Sequence, residues 1–136
     1  MTIVETTVWV DAFRGVSNAQ TTWLSRELSG GRIALTDLIL CETLQGIPDD
    51  ALYQKARDYL LKFVVFDTSG VEVALAAAQN YRVLRRQGIT IRGTIDCLTA
   101  TFCLRKGYSL LHHDRDYDPF EKYLGLQVIH PDGRLV

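Results

Sequence analysis

The sequence has no cysteine pair, no long apolar run and almost no net charge, and each shortage closes off a class of protein. Cys41, Cys97 and Cys103 form no CxxC pattern and all fall inside apolar helical stretches. They read as buried free thiols in a reducing compartment, not as disulfides or zinc ligands. No stretch approaches the run of about 18 apolar residues that a membrane span needs, and the chain does not start with a basic region followed by an apolar one. A cytoplasmic chain with no membrane contact is expected. Fifteen Lys and Arg against sixteen Asp and Glu leave a formal charge of -1, which argues against a protein that coats nucleic acid over its whole surface. Local asymmetry is still open. There is also no internal repeat, low-complexity tract or linker. What remains is a chain of 136 residues, 47% hydrophobic, read as a single domain over residues 1–136 that buries roughly two-thirds of its unfolded surface.

Short β-branched or apolar runs alternate with helical patterns. Thr2-Ile3-Val4 lacks polar alternation, as expected of a strand covered on both faces of a parallel sheet, and it ends at Glu5. A short helix through Phe13 follows, with Thr6 or Thr7 as its cap, and a second runs from Ser17 to Leu28, stopped by Gly30-Gly31. Arg32-Ile33-Ala34-Leu35 is the next strand. Thr36 or Asp37 caps a helix through Leu44 in which Leu38, Cys41, Leu44 and Gln45 share a face. Asp49 to Lys62 is amphipathic, Phe63-Val64-Val65-Phe66 is a buried strand, and a long alanine-rich helix opens at Ser69 or Gly70 and runs to Gln87. A helix from about Thr94 to Lys106, capped by Thr94, carries Ile95, Leu98, Phe102 and Cys103 at three- and four-residue spacing. Tyr108 to Leu111 is a strand, Asp118-Pro119 starts a last short helix to Tyr123, and Leu126 to Ile129 is a closing strand. The order predicts an α/β fold with a central, mostly parallel sheet and helices on both faces.

In open parallel sheets, ligands bind outside the carboxyl ends of the strands. Glu5 ends the first strand, Glu42 lies in the helix after the second, Asp96 sits in the first turn of its helix, and Asp114 and Asp116 follow the strand ending near Leu111. All five can meet at one edge. Two like charges about 4 Å apart repel by roughly 4 kcal/mol at an effective dielectric of 20, so such a set needs protons or divalent cations. An all-oxygen set suits Mg²⁺ or Mn²⁺. His112 and His113 border the same edge and are read as strand-end residues rather than bases or ligands, and His130, beside Pro131, as a surface residue. Arg82, Arg85 and Arg86 fall at helical spacing and Arg92 precedes the Asp96 helix. They either approach a phosphate backbone or form a solvated face. Tyr117 and Trp9 are candidates for stacking on bases, with a core role favoured for Trp9.

Val4-Glu5-Thr6-Thr7-Val8-Trp9-Val10-Asp11-Ala12-Phe13, then Glu42, then Arg92-Gly93-Thr94-Ile95-Asp96-Cys97-Leu98-Thr99-Ala100, then Leu111-His112-His113-Asp114-Arg115-Asp116-Tyr117, resemble the PIN-domain ribonucleases, and most closely the VapC toxins of bacterial toxin–antitoxin pairs. The likeness spans essentially the whole chain. It implies a three-layer α/β fold, with Glu42, Asp96 and Asp114 at the family's acidic metal-binding positions, Asp116 a further candidate and Thr7 at its small hydroxyl position. In one place the pattern is broken: the family has Asp where this chain has Glu5. The extra methylene moves the carboxylate by about one bond length, and misplacement on the order of 1 Å can cost ~100-fold in rate.

The resemblance implies hydrolysis of RNA phosphodiester bonds, with Mg²⁺ or Mn²⁺ expected to be held by Glu5, Glu42, Asp96 and Asp114; from the placement of the cations, RNA contacts are expected at Arg92 first, then Arg85 and Arg86, with Thr7 beside them. It also implies a VapB-like antitoxin as partner and a homodimer. Trp23, Leu24 and the Tyr53–Leu61 helix offer either a groove for that partner or ordinary core. Two alternatives stand beside it. One is a PIN-like protein, weakened by Glu5, that binds RNA or antitoxin without efficient cleavage. The other is a phospho-acceptor domain with Asp67 as acceptor, a class that also needs a Lys ending a later strand, which this sequence lacks.

Overall fold

The computed structural model describes residues 1–68 and 70–132; the expected helix start at Ser69 lies partly outside them. Among the described residues, four short strands and seven α-helices follow one another as β1 (Thr2–Val4), α1 (Thr6–Phe13), α2 (Ala19–Glu27), β2 (Ile33–Thr36), α3 (Asp37–Gln45), α4 (Asp50–Leu60), β3 (Val64–Phe66), α5 (Val71–Arg86), α6 (Thr94–Lys106), β4 (Ser109–Leu111) and α7 (Asp118–Leu124). The strands form one parallel sheet in the order β3-β2-β1-β4. Every residue of β1 and β2 is buried. Since neighbouring side chains on a strand point to opposite faces, both faces of the sheet are covered, which is why these runs show no polar alternation. The predicted α/β layering holds.

Strand order fixes the site. The chain steps outward from β1 through β2 to β3 and then returns to the other flank of β1 as β4. That reversal opens a crevice beyond the carboxyl ends of β1 and β4. The two ends are tied together, because the N–H of Glu5 donates to the carbonyl of Leu111 at 2.9 Å.

Most of the core lies between the sheet and its helices. Trp9 is 1% exposed, its ring meets Phe13, Tyr59 and Phe63, and its indole N–H donates to the Val4 carbonyl at 2.9 Å. That is core, so Trp9 is unavailable to bases. Helix α6 is buried from Thr99 through Cys103 and at Cys97, and α5 is pinned to it by Cys97 Sγ to the Ala77 carbonyl (3.2 Å) and by Asn80 to the Thr101 hydroxyl (3.0 Å).

Several expectations are corrected. Cys41 is exposed, because α3 buries Ile39, Thr43 and Leu44 rather than the Leu38–Cys41 face. β3 is an edge strand, with Val64 49% exposed. The closing strand reduces to a single bridge between Leu110 and Val128, since β4 is only three residues long. Glu5, not Thr6 or Thr7, caps α1; Asn18, in a capping box with Thr21, caps α2, which starts at Ala19 rather than Ser17; and Gly93, with no side-chain cap, precedes α6 in place of Thr94. His130 is only partly exposed and bonds Glu121 at 2.8 Å.

Candidate active site

The crevice gathers five acids: Glu5 after β1, Glu42 from within α3, Asp96 in the first turn of α6, and Asp114 and Asp116 after β4. Asp96, Asp114 and Asp116 form its tightest group: one carboxylate oxygen from each lies within 4.8 Å of the others. Asp96 reaches the crevice because it is in the first turn of α6, where the helix dipole also favours an anion. Asp114 caps the 3₁₀ turn Arg115–Tyr117 that follows β4, and its Oδ1 accepts the Asp116 N–H at 2.9 Å. That turn aims both carboxylates the same way. Asp116 also meets the guanidinium of Arg92 at 3.2 Å.

Glu5 adjoins this group from β1 and is 2% exposed. Its Oε1 accepts the Thr7 N–H at 2.8 Å and the Thr7 hydroxyl, while Oε2 faces the Tyr117 hydroxyl at 3.3 Å. Burial pushes its carboxyl up to about 7 against the lowering effect of both Thr7 bonds, and the charges of Asp96 and Asp114 push the same way as burial. Asp96 is raised to about 6, by burial first, with its bond from Tyr117 opposing and Asp114, Glu42 and Asp116 adding repulsion. Glu42 approaches from α3, where its Oε1 accepts the Thr6 hydroxyl at 2.8 Å. These groups are short of cations, since Arg92 is the one guanidinium paired with them among the described residues. All-oxygen donors, close spacing and uncompensated negative charge fit a hard divalent cation.

The PIN domain family model matches residues 2–123. The chain belongs to the PIN domain family. It is 31% identical over 130 residues to the VapC ribonuclease Mb1587 of Mycobacterium bovis and to Ribonuclease VapC11 of Mycobacterium tuberculosis, covering 94% of this chain and 97% of each relative. Among solved structures, VapBC2 from Rickettsia felis bound to a promoter DNA fragment superposes with a TM-score of 0.74 at 17% identity, covering 94% of this chain and 96% of that one. FitAcB from Neisseria gonorrhoeae gives 0.75 at 14% identity, with 98% and 100% covered. These low-identity superpositions carry the fold alone, and the fold is that of the PIN domain.

Within this PIN domain the predicted acids come together, but three other residues organise them. Tyr117 is fully buried rather than free to stack on a base, and its hydroxyl lies between Glu5 and Asp96. Burial and the surrounding carboxylates push the phenol well above its usual range, so it stays a neutral donor. Thr6 holds Glu42. His112, 5.0 Å from the Tyr117 ring, accepts the Asp114 N–H on Nδ1 at 3.1 Å, and burial pushes its imidazole down to about 4. Their only sequence signal was adjacency to the acids. Thr7 donates to Glu5 and accepts the His113 N–H at 3.0 Å, so its hydroxyl is spent on the scaffold. Arg85 and Arg86 stand exposed in the last turn of α5, with Arg85 bonded to Thr90 at 3.1 Å. Arg92 is 81% exposed beside the acids.

Proposed function

We propose that this chain is a metal-dependent endoribonuclease toxin of a VapBC-type pair, acting in the cytoplasm as a single domain over residues 1–136. The observation that carries this reading is the convergence of Asp96, Asp114 and Asp116 within 4.8 Å, with Glu5 and Glu42 alongside, in a PIN domain. The relatives named as VapC ribonucleases support the reaction class. Glu5, Glu42, Asp96, Asp114 and Asp116 would hold Mg²⁺ or Mn²⁺. Such an ion supplies a bound water of lowered pKa and neutralises charge on the scissile phosphate and leaving oxygen. The chain's own residues do the positioning. Tyr117 fixes the rotamers of Glu5 and Asp96, Thr6 fixes Glu42, and the N–H of Asp116 fixes Asp114. Arg92 offers its guanidinium to the incoming RNA backbone, with Arg85 and Arg86 further along and Thr7 shaping the floor.

A VapB-like antitoxin is the proposed partner, supported by the structural neighbours that are VapBC complexes. Its seat is the largely apolar cavity of about 530 Å³ lined by Val10, Phe13, Ile47, Leu52 and Tyr59 and reaching Glu42. Two copies of the chain would pair through exposed apolar residues of α5 such as Val71 (75% exposed) and Leu75 (64%). The weakened-enzyme reading is favoured by one observation: both oxygens of Glu5 are already engaged, one as the cap of α1.

Incubation with total RNA tests the proposal. Cleavage in Mn²⁺ that EDTA abolishes, and that Asp96→Asn or Asp114→Asn removes, is the expected result. Metal-independent cleavage, or none from either this chain or Glu5→Asp, overturns it.

A further inference from the structure

Arg92 sits in a short segment whose backbone is anchored on both sides. Ile91 before it belongs to the core, at 6% exposed. Gly93 after it accepts the Cys97 N–H at 3.2 Å and packs so close to Asp96 that a Cβ there would lie 3.1 Å from Oδ2. The Arg92 side chain is nevertheless 81% exposed, and its guanidinium meets Asp116 Oδ1 at 3.2 Å. Asp116 is held from its own side, since its N–H donates to Asp114 Oδ1 at 2.9 Å. The mobile part of this ion pair is therefore the arginine side chain.

An ion pair this open to solvent adds little to folding stability, and Ile91 and Gly93 hold the segment without it. Its effect falls on the site. Asp116 is one of the three carboxylates whose oxygens lie within 4.8 Å of one another, and Arg92 balances part of their charge. A divalent cation and a guanidinium on the same carboxylate repel each other at close range, and that repulsion exceeds what an exposed ion pair gains. The two therefore exchange. Once free, the planar guanidinium fork suits two oxygens of a phosphate.

We propose that Arg92 is a tethered counter-cation of the metal site: it pairs with Asp116 in the metal-free chain and is released to the RNA backbone when the site is loaded. Metal and RNA then strengthen each other's binding, because loading the site frees the arginine and RNA keeps it from returning to Asp116. By linkage the two effects are equal in size. Arg92 is thus a positioning residue that makes the chain hold RNA firmly only when it can act on it. The proposal rests on the nuclease reading for its metal and its substrate, and its test separates the two.

The first arm needs no RNA. Isothermal titration is expected to show Mn²⁺ binding about three- to fivefold tighter to Arg92→Gln than to the native chain, the scale of one exposed ion pair. In an Asp116→Asn background the same change is expected to add nothing. An equal gain in both backgrounds shows charge repulsion without exchange and overturns the proposal, as does no gain in either. No Mn²⁺ binding to the native chain overturns both the exchange and the metal-dependent reading. The second arm follows the side chain by NMR with isotope-labelled arginine. Mg²⁺ is expected to move the Arg92 Nε–H signal toward its position in metal-free Asp116→Asn, and a signal that stays in place overturns the exchange. The third arm measures binding of a short phosphorothioate RNA, which resists cleavage. Saturating Mg²⁺ is expected to strengthen it about three- to fivefold more in the native chain than in Arg92→Gln, and equal strengthening overturns the coupling. Exchange as expected with no cleavage of total RNA upholds the proposal and counts against the nuclease; metal-dependent cleavage with an equal gain in both backgrounds keeps the nuclease and removes the exchange.

Discussion

The hydroxyl of Tyr117 lies 3.0 Å from Asp96 Oδ1 and 3.3 Å from Glu5 Oε2, so one phenolic proton serves two carboxylates from different elements. Tyr117 is fully buried between His112 and Phe120, and no solvent can take over its role. Its neighbours therefore depend on it.

Tyr117→Phe keeps the ring packing and removes only that proton. The two carboxylates lose a donor, at a cost on the order of 1–3 kcal/mol in unfolding free energy at neutral pH, while cleavage in Mn²⁺ falls by about 100-fold as the carboxylates drift. Urea denaturation at pH 7.5 and at pH 4 checks the origin of the loss. It is expected to shrink at pH 4, where both carboxyls hold protons of their own; an equal loss at both pH values would point to packing instead.

The acids also set how stability follows pH. Glu5 and Asp96 are raised to about 7 and about 6, so between pH 4.5 and 7 the folded chain binds more protons than the unfolded one, and their contribution to stability falls as pH rises. His112, lowered to about 4, works the other way: the unfolded chain binds its proton between pH 4 and 6.5, and stability rises through that range. The opposing slopes partly cancel in the native chain. Glu5→Gln removes one of them, so its stability relative to the native chain is expected to improve by about 3 kcal/mol between pH 4.5 and 8. Chemical denaturation of both proteins across that range shows it. Added Mg²⁺ is expected to raise native stability at pH 8 and to do so much less at pH 4.5.

Much of this arrangement was legible in the chain. The unpatterned apolar run Thr2-Ile3-Val4 and the positions of Glu5, Asp96 and Asp114 after successive elements were enough to expect acids converging at one sheet edge, because strand-end placement is a property of topology. What stayed hidden depends on distance between elements. Tyr117 has the same sequence signature as a surface aromatic that stacks on bases, and only the turn after Asp114 folds it inward. Cys41 sits on an apolar-looking helix face, yet α3 buries Ile39, Thr43 and Leu44 and leaves Cys41 in solvent. Val64 reads as buried until the sheet order leaves β3 at an edge.

Glu5→Asp shortens the side chain that both caps α1 and faces Tyr117. A shorter carboxylate cannot keep the Thr7 contacts and the Tyr117 contact together, so one of them is released. If the weakened-enzyme reading holds, the freed carboxylate raises cleavage by about 10- to 100-fold with KM little changed, since the substituted group acts on the metal and not on RNA binding. Single-turnover cleavage of a short RNA at saturating Mn²⁺ measures this directly. A rise in KM alone would place Glu5 at the substrate instead.

Gly93 is the last residue before α6, and its φ of -112° is open to any side chain, so backbone freedom does not explain it. Space does. A Cβ built there would stand 3.1 Å from Asp96 Oδ2 and 3.3 Å from its Cγ, closer than such atoms normally come. The carboxylate is the flexible partner and has to give way by a few tenths of an ångström, out of the group it forms with Asp114 and Asp116. Gly93→Ala is therefore expected to leave the melting temperature within a few degrees of the native value and to weaken Mn²⁺ binding by about 10-fold, the scale on which changes next to a ligand act. Isothermal titration with Mn²⁺, paired with a thermal melt of the metal-free variant, separates these effects. Unchanged affinity would show that Asp96 does not need its present rotamer to take part in the site.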